Sequence, residues 1–194
     1  MAQRRAARRP DAVSGIVDAW ARERPELDTS PLEVLARLHR SYLQYQSRMV
    51  SQLDAHGLSV AGFDVLTALR RAGAPYRLTA GQLAASGLIS SAGVTLRLDR
   101  LEKDGLLVRE RDAEDRRVVY SRLTDAGLKK VNELFAAHLE NERRMLSGLS
   151  PAERRQLAGL LSKLERSIVE SDDAGPDGPE GPDGPDGPDG PNPG

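Results

Sequence analysis

Two adjacent arginines, Arg116 and Arg117, lie in a charged loop between two runs of strand-forming residues. An arginine on a protruding loop is suited to enter the narrow, electronegative minor groove of DNA. Asp115 stands directly before them and can hold one guanidinium in place through a bidentate pair. A charged turn is commonly no more than a solvated surface, so the loop by itself leaves both interpretations open. Its neighbours in the chain favour DNA binding.

The loop is predicted to form the tip of a β-hairpin. Leu106 to Arg111 and Val118 to Leu123 are rich in Val, Leu and Tyr, and a polar segment separates them. Three short helical segments precede this hairpin, and a tight turn joins the last two, which predicts a helix-turn-helix. A helix-turn-helix followed directly by a hairpin is a winged helix. Its second helix lies in the major groove of DNA, while the hairpin reaches along the backbone or into the minor groove.

The last of these segments is the expected recognition helix, which begins at a serine cap and ends at Gly105. At 100° per residue, Val94, Leu98 and Leu101 share one face, which we expect to point inward. Small and hydroxylated residues near the start of the outward face allow close approach to base edges, and a leucine can contact a thymine methyl. The residues predicted to contact DNA are Ser90, Ser91, Ala92, Thr95, Leu96, Arg100, Arg116 and Arg117. The alternative is that the serines only cap the helix and that Arg100 is a solvated charge.

Composition excludes several classes of protein. The 194 residues include no cysteine, which excludes disulfides, cysteine-based zinc sites and a cysteine nucleophile. The three histidines, His39, His56 and His138, are scattered and have no carboxylate cluster or phosphate-binding loop beside them. We therefore expect no catalytic residue, no metal site and no cofactor. No apolar run approaches the ~20 residues that span a bilayer, so we expect no membrane association and a cytoplasmic location.

Charge is distributed unevenly along the chain. Residues 1–169 hold 28 bases and 21 acids, an excess of seven positive charges, and the rest of the chain holds eight acids and no base. The basic body permits a polyanionic partner, although a solvated basic surface is the commoner explanation of such an excess. Residues 175–192 form six Gly-Pro-x triplets, five of them acidic, which predicts a disordered tail.

Further helices are predicted on both sides of the winged helix. Val13, Ile16, Val17 and Trp20 form an apolar stripe, and capping boxes begin at Ser30, Thr79 and Ser150. The predicted fold is mainly α with a small β-hairpin wing, and the terminal helices flank the middle. The predicted divisions are an N-terminal extension with an added helix (1–27), a dimerisation helix (28–57), the winged helix-turn-helix (58–123), C-terminal dimerisation helices (124–171) and the acidic tail (172–194).

Three motifs together identify a family resemblance. They are the run from Leu101 to Leu107, the wing residues Asp112 with Asp115-Arg116-Arg117, and the helix start from Leu123 to Gly127. Across residues 30–170 the chain resembles the MarR family of bacterial transcriptional regulators. The resemblance implies a homodimer that is held by its N- and C-terminal helices and reads a palindromic site on double-stranded DNA.

An added N-terminal helix accompanies the runs from Phe63 to Leu66, from Gly73 to Thr79 and from Thr95 to Leu101. With these features the chain is similar, within that family, to the urate-responsive PecS-like subgroup. The resemblance implies a ligand site formed by Trp20, Asp64, Arg97 and Arg109, in which urate or a related purine would act as effector. Arginines can pair with the anion, the tryptophan can stack on its face, and the aspartate can accept from ring N–H groups. Ligand binding would then weaken DNA binding and relieve repression. The alternatives are a MarR-like regulator of a phenolic or xenobiotic response, and a helical interaction module that does not bind DNA.

Overall fold

The computed structural model describes residues 11–86 and 93–173. The chain divides into two compact units, Met1–Leu139 and Glu140–Gly194. The elements within the described residues, in chain order, are α1 (Ala12–Glu23), α2 (Ser30–Asp54), α3 (Val60–Arg71), β1 (Arg77–Thr79), α4 (Ala80–Ala84), α5 (Val94–Lys103), β2 (Leu107–Arg111), β3 (Val119–Leu123), α6 (Asp125–Met145) and α7 (Pro151–Asp173). The predicted class, mainly helical with a small sheet, is confirmed.

Two of the three predicted capping boxes form. The Thr79 hydroxyl accepts from the Gln82 N–H at 3.2 Å, and Ser150 and Glu153 cap one another at the start of α7. The box predicted at Ser30 is wrong. Ser30 is already the first residue of α2, and its N–H donates to Asp28 Oδ1 at 2.9 Å. A carboxylate two residues upstream therefore takes the place of the expected serine hydroxyl.

The hairpin is confirmed, but it belongs to a three-stranded antiparallel sheet with the order β1-β3-β2. β1, which is not among the elements predicted from the sequence, pairs with β3 from Arg77 opposite Arg122 to Thr79 opposite Tyr120. Three residues are too few to show the alternation that indicates a strand, so only pairing with β3 defines β1. The sheet also carries charge pairs. Glu110 accepts from Arg122 Nε at 2.9 Å and from Arg77 Nη1 at 3.4 Å.

Helix α3 lies at the centre of the core of the first unit, where Val65, Leu66 and Leu69 are fully buried. The start of the sheet is in close contact with α6, because Gly127 packs directly against the backbone of Leu106, the residue before β2. A Cβ added at Gly127 would lie 1.9 Å from the Leu106 carbonyl oxygen. This approach explains why the strand–helix junction requires glycine.

Several helices keep apolar side chains exposed in the single chain. Val13 of the predicted α1 stripe is buried, whereas Ile16 and Trp20 on the same stripe remain exposed. Similar exposed side chains occur on α2 and α7. They are Val34, Leu35, Tyr42, Leu43, Val50, Leu157, Leu160, Leu161, Ile168 and Val169. Within the described residues, none of the helices is both long and apolar enough to cross a membrane.

Candidate functional site

The recognition helix α5 has the inward and outward faces that its periodicity predicts. Val94, Leu98 and Leu101 are buried, while Leu96 on the opposite side is 74% exposed. Thr95 and Arg100 are exposed as well. These three outward residues therefore present a hydroxyl, an apolar side chain and a guanidinium on one accessible surface.

The start of this helix differs from the expected one. The helix begins at Val94 and its N-cap is Gly93, whose φ of 81° lies in the left-handed region that favours glycine. A serine cap at Ser90 or Ser91 was expected, but Gly93 lies between those serines and the helix. Ser90, Ser91 and Ala92 fall outside the described residues.

The arginine loop at the hairpin tip is shaped by two aspartates. Asp112 Oδ1 accepts from the N–H groups of Glu114 and Asp115, and these two bonds lower the pKa of the Asp112 carboxyl. Asp115 Oδ1 accepts from the Arg117 N–H at 3.0 Å and lies 3.5 Å from its Nε. The expected bidentate guanidinium pair is therefore absent from this loop, because the second contact comes from the backbone. The Arg117 side chain is 95% exposed.

Arg109 lies on one flank of α5 and joins strand β2 to it. Its Nη2 is 2.6 Å from Asp99 Oδ1, and its Nη1 is 3.4 Å from Glu102 Oε2. Nη2 also donates to the Thr95 carbonyl oxygen at 3.4 Å, and the Arg109 N–H donates to Glu102 Oε1 at 3.0 Å. The Arg109 side chain, which the resemblance places in a ligand site, is thus bonded to residues of α5.

Asp64 on α3 lies within electrostatic range of Arg97 on α5. Burial raises the pKa of the Asp64 carboxyl above its usual value, and the charges of Arg97 and His138 oppose this rise. On a helical wheel Arg97 lies about 160° from Asp99, the partner of Arg109. Arg97 therefore projects from a side of α5 nearly opposite to the one that Arg109 contacts from β2. The resemblance implies one ligand site for both arginines, whereas Arg109 contacts Asp99 and Glu102 and Arg97 lines a separate cleft.

A cleft of about 360 Å³ lies beside Arg97, between the start of α3 and α5. Its lining includes the side chains of Leu58, Leu96, Arg97, Arg100 and Asp104. Its size and its mixture of apolar walls and guanidinium groups suit a small anionic ligand. This cleft could not be predicted from the sequence, because it forms only where the link between α2 and α3 packs against α5.

Trp20 lies on α1, which packs against α2, and its side chain is 47% exposed. His138, one of the scattered histidines, is buried, with its ring 5.1 Å from that of Phe63 in an edge-to-face arrangement. Within residues 11–86 and 93–173, His, Asp and Glu side chains form no cluster that could hold a metal ion.

Comparisons with known proteins agree with this architecture. A profile of the MarR family matches residues 56–118. The HTH-type transcriptional regulator PecS of Dickeya dadantii (strain 3937) is 39% identical over 159 residues, which cover 82% of this chain and 96% of that protein. The HTH-type transcriptional repressor MdtR of Bacillus subtilis (strain 168) is 30% identical over 141 residues, which cover 73% of this chain and 88% of MdtR.

A solved structure adds a ligand-responsive relative. The structure of Bordetella bronchiseptica BpsR, which describes regulation of its DNA binding by 6-hydroxynicotinic acid, superposes with a TM-score of 0.61 at 30% identity. The match covers 68% of this chain and 92% of BpsR. These relatives are transcriptional regulators, which agrees with the expectation that the chain is not an enzyme. The extent of the PecS match, together with the winged helix-turn-helix, shows that the chain belongs to the MarR family of transcriptional regulators and is of the PecS-like kind.

Proposed function

We propose that the chain is a repressor that binds a palindromic operator as a homodimer and leaves the DNA when a small anionic aromatic ligand such as urate binds. The observation that carries the DNA-binding part is the coupling of the outward face of α5 to the arginine loop. Arg109 joins the strand that leads into the loop to the flank of α5. Both elements can therefore contact one half-site together.

Each DNA contact follows from the chemistry of the exposed groups. Thr95, Leu96 and Arg100 would lie in the major groove, where a hydroxyl and a guanidinium can bond to base edges and a leucine can contact a thymine methyl. Ser90, Ser91 and Ala92 precede them in the chain and are proposed to approach the same groove. Arg116 and Arg117 would enter the adjacent minor groove. The basic excess of residues 1–169 supports association with a polyanion.

Homodimerisation is proposed from the apolar side chains that the single chain leaves exposed on α1, α2 and α7. Burying such faces against a second copy removes them from water, which is the main driving force for association. Two copies related by a twofold axis would present two recognition helices to a palindrome. The half-sites would then lie about 34 Å, or one helical turn of DNA, apart.

The effector is proposed to bind at Asp64 and Arg97, with Trp20 stacking on its ring and the adjacent cleft accommodating its bulk. Arg97 can pair with the anion, and Asp64 can accept from ring N–H groups. Arg100 replaces Arg109 as the second guanidinium, because Arg100 lines the cleft. The regulation of BpsR by 6-hydroxynicotinic acid supports a heteroaromatic acid as the ligand class.

Release from DNA requires that the ligand bind the free protein more tightly than the DNA-bound protein. The cleft provides a direct reason for such a difference, since Leu96 and Arg100 line it and also belong to the proposed DNA surface. A ligand in the cleft would therefore compete with the operator for the same side chains.

The first test is selection of binding sites from randomised duplexes by the full chain, followed by anisotropy titration of the selected site. We expect an inverted repeat that is bound by two chains. Thr95→Ala is expected to change the selected sequence, whereas Arg40→Ala, at an exposed position of α2, is expected to leave it unchanged. Absence of any selected consensus, or binding of one chain per site, would contradict the proposal.

The effector is tested by isothermal titration with urate, xanthine and salicylate. We expect urate binding, with affinity at least about tenfold lower in Arg97→Ala, because a lost charged hydrogen bond costs roughly 1.5–3 kcal/mol. Arg109→Ala is the matched control and is expected to bind urate as the parent does. Urate binding that is equally strong in Trp20→Ala, Asp64→Ala and Arg97→Ala would exclude this site. Binding of salicylate alone would favour a phenolic effector.

A further inference from the structure

We propose that Arg109 is a positioning residue that determines how well the protein discriminates between DNA sequences. It does so by holding the wing at a set angle to the recognition helix, and not by contacting DNA. The inference rests on the sequence-specific DNA binding proposed above. Its basis is the set of contacts that Arg109 makes to α5 from strand β2.

The three partners of Arg109 on α5 form a single stripe. Thr95, Asp99 and Glu102 are spaced by four and three residues, so their acceptors lie one above another along one flank of the helix. A guanidinium is planar and its donors have a rigid fork geometry, so simultaneous contact with several acceptors restricts rotation as well as distance. The Arg109 N–H adds a backbone contact to Glu102 at 3.0 Å. Strand β2 is therefore attached to the helix at more than one point.

The charges on this flank show why Arg109 is unsuited to contact a phosphate. Asp99 and Glu102 carry two negative charges beside the outward face of α5, and Arg109 offsets only one of them. A phosphate that approached the guanidinium would have to displace carboxylates already in contact with it, one of them at 2.6 Å. The two acids would also repel that phosphate. The charges of Asp99 and Glu102 thus weaken the attraction of this part of the protein to any DNA, while their contacts with Arg109 hold the wing at one angle to α5.

That geometry matters because β2 leads directly into the arginine loop. A sequence-specific complex needs Thr95 and Arg100 at base edges while Arg116 and Arg117 reach the minor groove. A non-specific complex needs only positive charge near phosphates. A change in the angle between α5 and the wing therefore lowers affinity for the specific site far more than affinity for non-specific DNA.

The test compares the operator selected by the parent protein with a scrambled duplex of equal length, over a series of salt concentrations. Arg109→Ala is expected to lower the ratio of the two affinities about tenfold, as roughly one mismatched base pair does. The dependence of the logarithm of affinity on the logarithm of salt concentration should keep its slope, since no phosphate contact is lost. Arg109→Lys, which retains the charge without the fork, is expected to recover only part of the ratio.

The double variant Asp99→Asn and Glu102→Gln gives the sharpest result and also serves if Arg109→Ala fails to fold. It removes two negative charges and leaves only neutral amide oxygens as side-chain acceptors, while Arg109 stays in place. We expect affinity for the scrambled duplex to rise while the ratio of operator to scrambled affinity falls. Lys103→Ala, which removes a charge from the same helix, is the control and is expected to weaken both complexes by a similar factor.

Three results would overturn the inference. The first is a fall of about one in the salt slope for Arg109→Ala with equal loss on both duplexes, which would make Arg109 a phosphate contact. The second is an unchanged affinity ratio in folded Arg109→Ala, or in the double variant. The third is failure of the parent protein to select any consensus, which would remove the proposed function together with the inference. The first two leave the proposed function intact.

Discussion

Asp11 and Arg37 join the first two helices of the chain. Asp11 Oδ1 accepts from the Ser14 N–H at 2.8 Å and so caps α1, while Asp11 Oδ2 accepts from Arg37 Nε on α2 at 2.8 Å. Arg37 Nη2 reaches the Ser14 hydroxyl as well. These hydrogen bonds and the positive charge of Arg37 hold the pKa of the Asp11 carboxyl far below its usual range.

Acidification is therefore expected to release α1 from α2 only below about pH 4. The pKa of Asp11 is lower in the folded protein than its usual 3.8. The ionised carboxylate therefore stabilises the folded protein fully above pH 3.8, and this stabilisation is lost as the pH falls towards the folded pKa. Trp20 lies on α1 and is the sole tryptophan of the chain, so its fluorescence reports the release. Arg37→Ala should shift the emission of Trp20 at neutral pH, and Arg40→Ala should not. Identical acid titrations in the Arg37 variant and the parent would contradict this prediction.

Asp64→Asn is expected to stabilise the protein, and increasingly so as the pH rises. Burial raises the pKa of Asp64, so its contribution to stability is greatest below the pKa of the unfolded chain and is lost as the pH rises through the folded value. The asparagine cannot ionise and avoids this loss. Thermal unfolding from pH 3, below the unfolded pKa, up to pH 7.5 measures the effect, with the exposed Asp18→Asn as control. A gain in midpoint that is constant over this range would show that ionisation of Asp64 is not its cause.

Gly127→Ala is expected to lower the free energy of unfolding by at least about 3 kcal/mol, because the new Cβ would lie 1.9 Å from a backbone oxygen that cannot move aside alone. Gly81→Ala is the control. Its Cβ would meet only the Thr79 hydroxyl, at 3.9 Å, so stability should be equal or slightly higher. Urea titration followed by circular dichroism measures both. Equal midpoints for the two variants would show that the junction is looser than described.

Leu160→Glu is expected to convert the proposed dimer into monomers and to abolish operator binding. Leu160 is 57% exposed on α7, and a charge there would be buried against the second copy. Leu96→Glu is the control, since Leu96 is even more exposed but lies on α5. That variant should remain dimeric while it loses DNA binding. Light scattering after gel filtration measures the mass, and an unchanged mass for Leu160→Glu would exclude α7 from the interface.

Removing both Arg116 and Arg117 is expected to reduce the salt slope of operator binding by about 2, because each arginine placed in the minor groove neutralises about one phosphate charge and contributes about 0.9. Arg143→Ala is the control, since Arg143 is paired with Glu140 on α6. Anisotropy titrations from low to moderate salt measure the slopes. If the double variant keeps the parental slope, the arginine loop does not contact the DNA backbone.

Features that depend on neighbouring residues could be predicted from the sequence alone. The buried stripe of α5, the hairpin from β2 to β3 and the caps at Thr79 and Ser150 each follow from patterns within a few residues, because periodicity and capping act over one or two turns. The same local motifs indicated the MarR family. The sequence also placed Arg116 and Arg117 at the hairpin tip.

The contacts between segments that are distant in the chain could not be predicted from these local patterns. β1 becomes a strand only by pairing with β3, and the cleft beside Arg97 exists only where the start of α3 packs against α5. Arg109 shows the physical reason most clearly. Its residue type permits a ligand, a phosphate or a carboxylate as partner, and the packing of β2 against one flank of α5 selects Asp99 and Glu102. Sequence determines the groups that are present, whereas long-range packing determines which of them come within reach of one another.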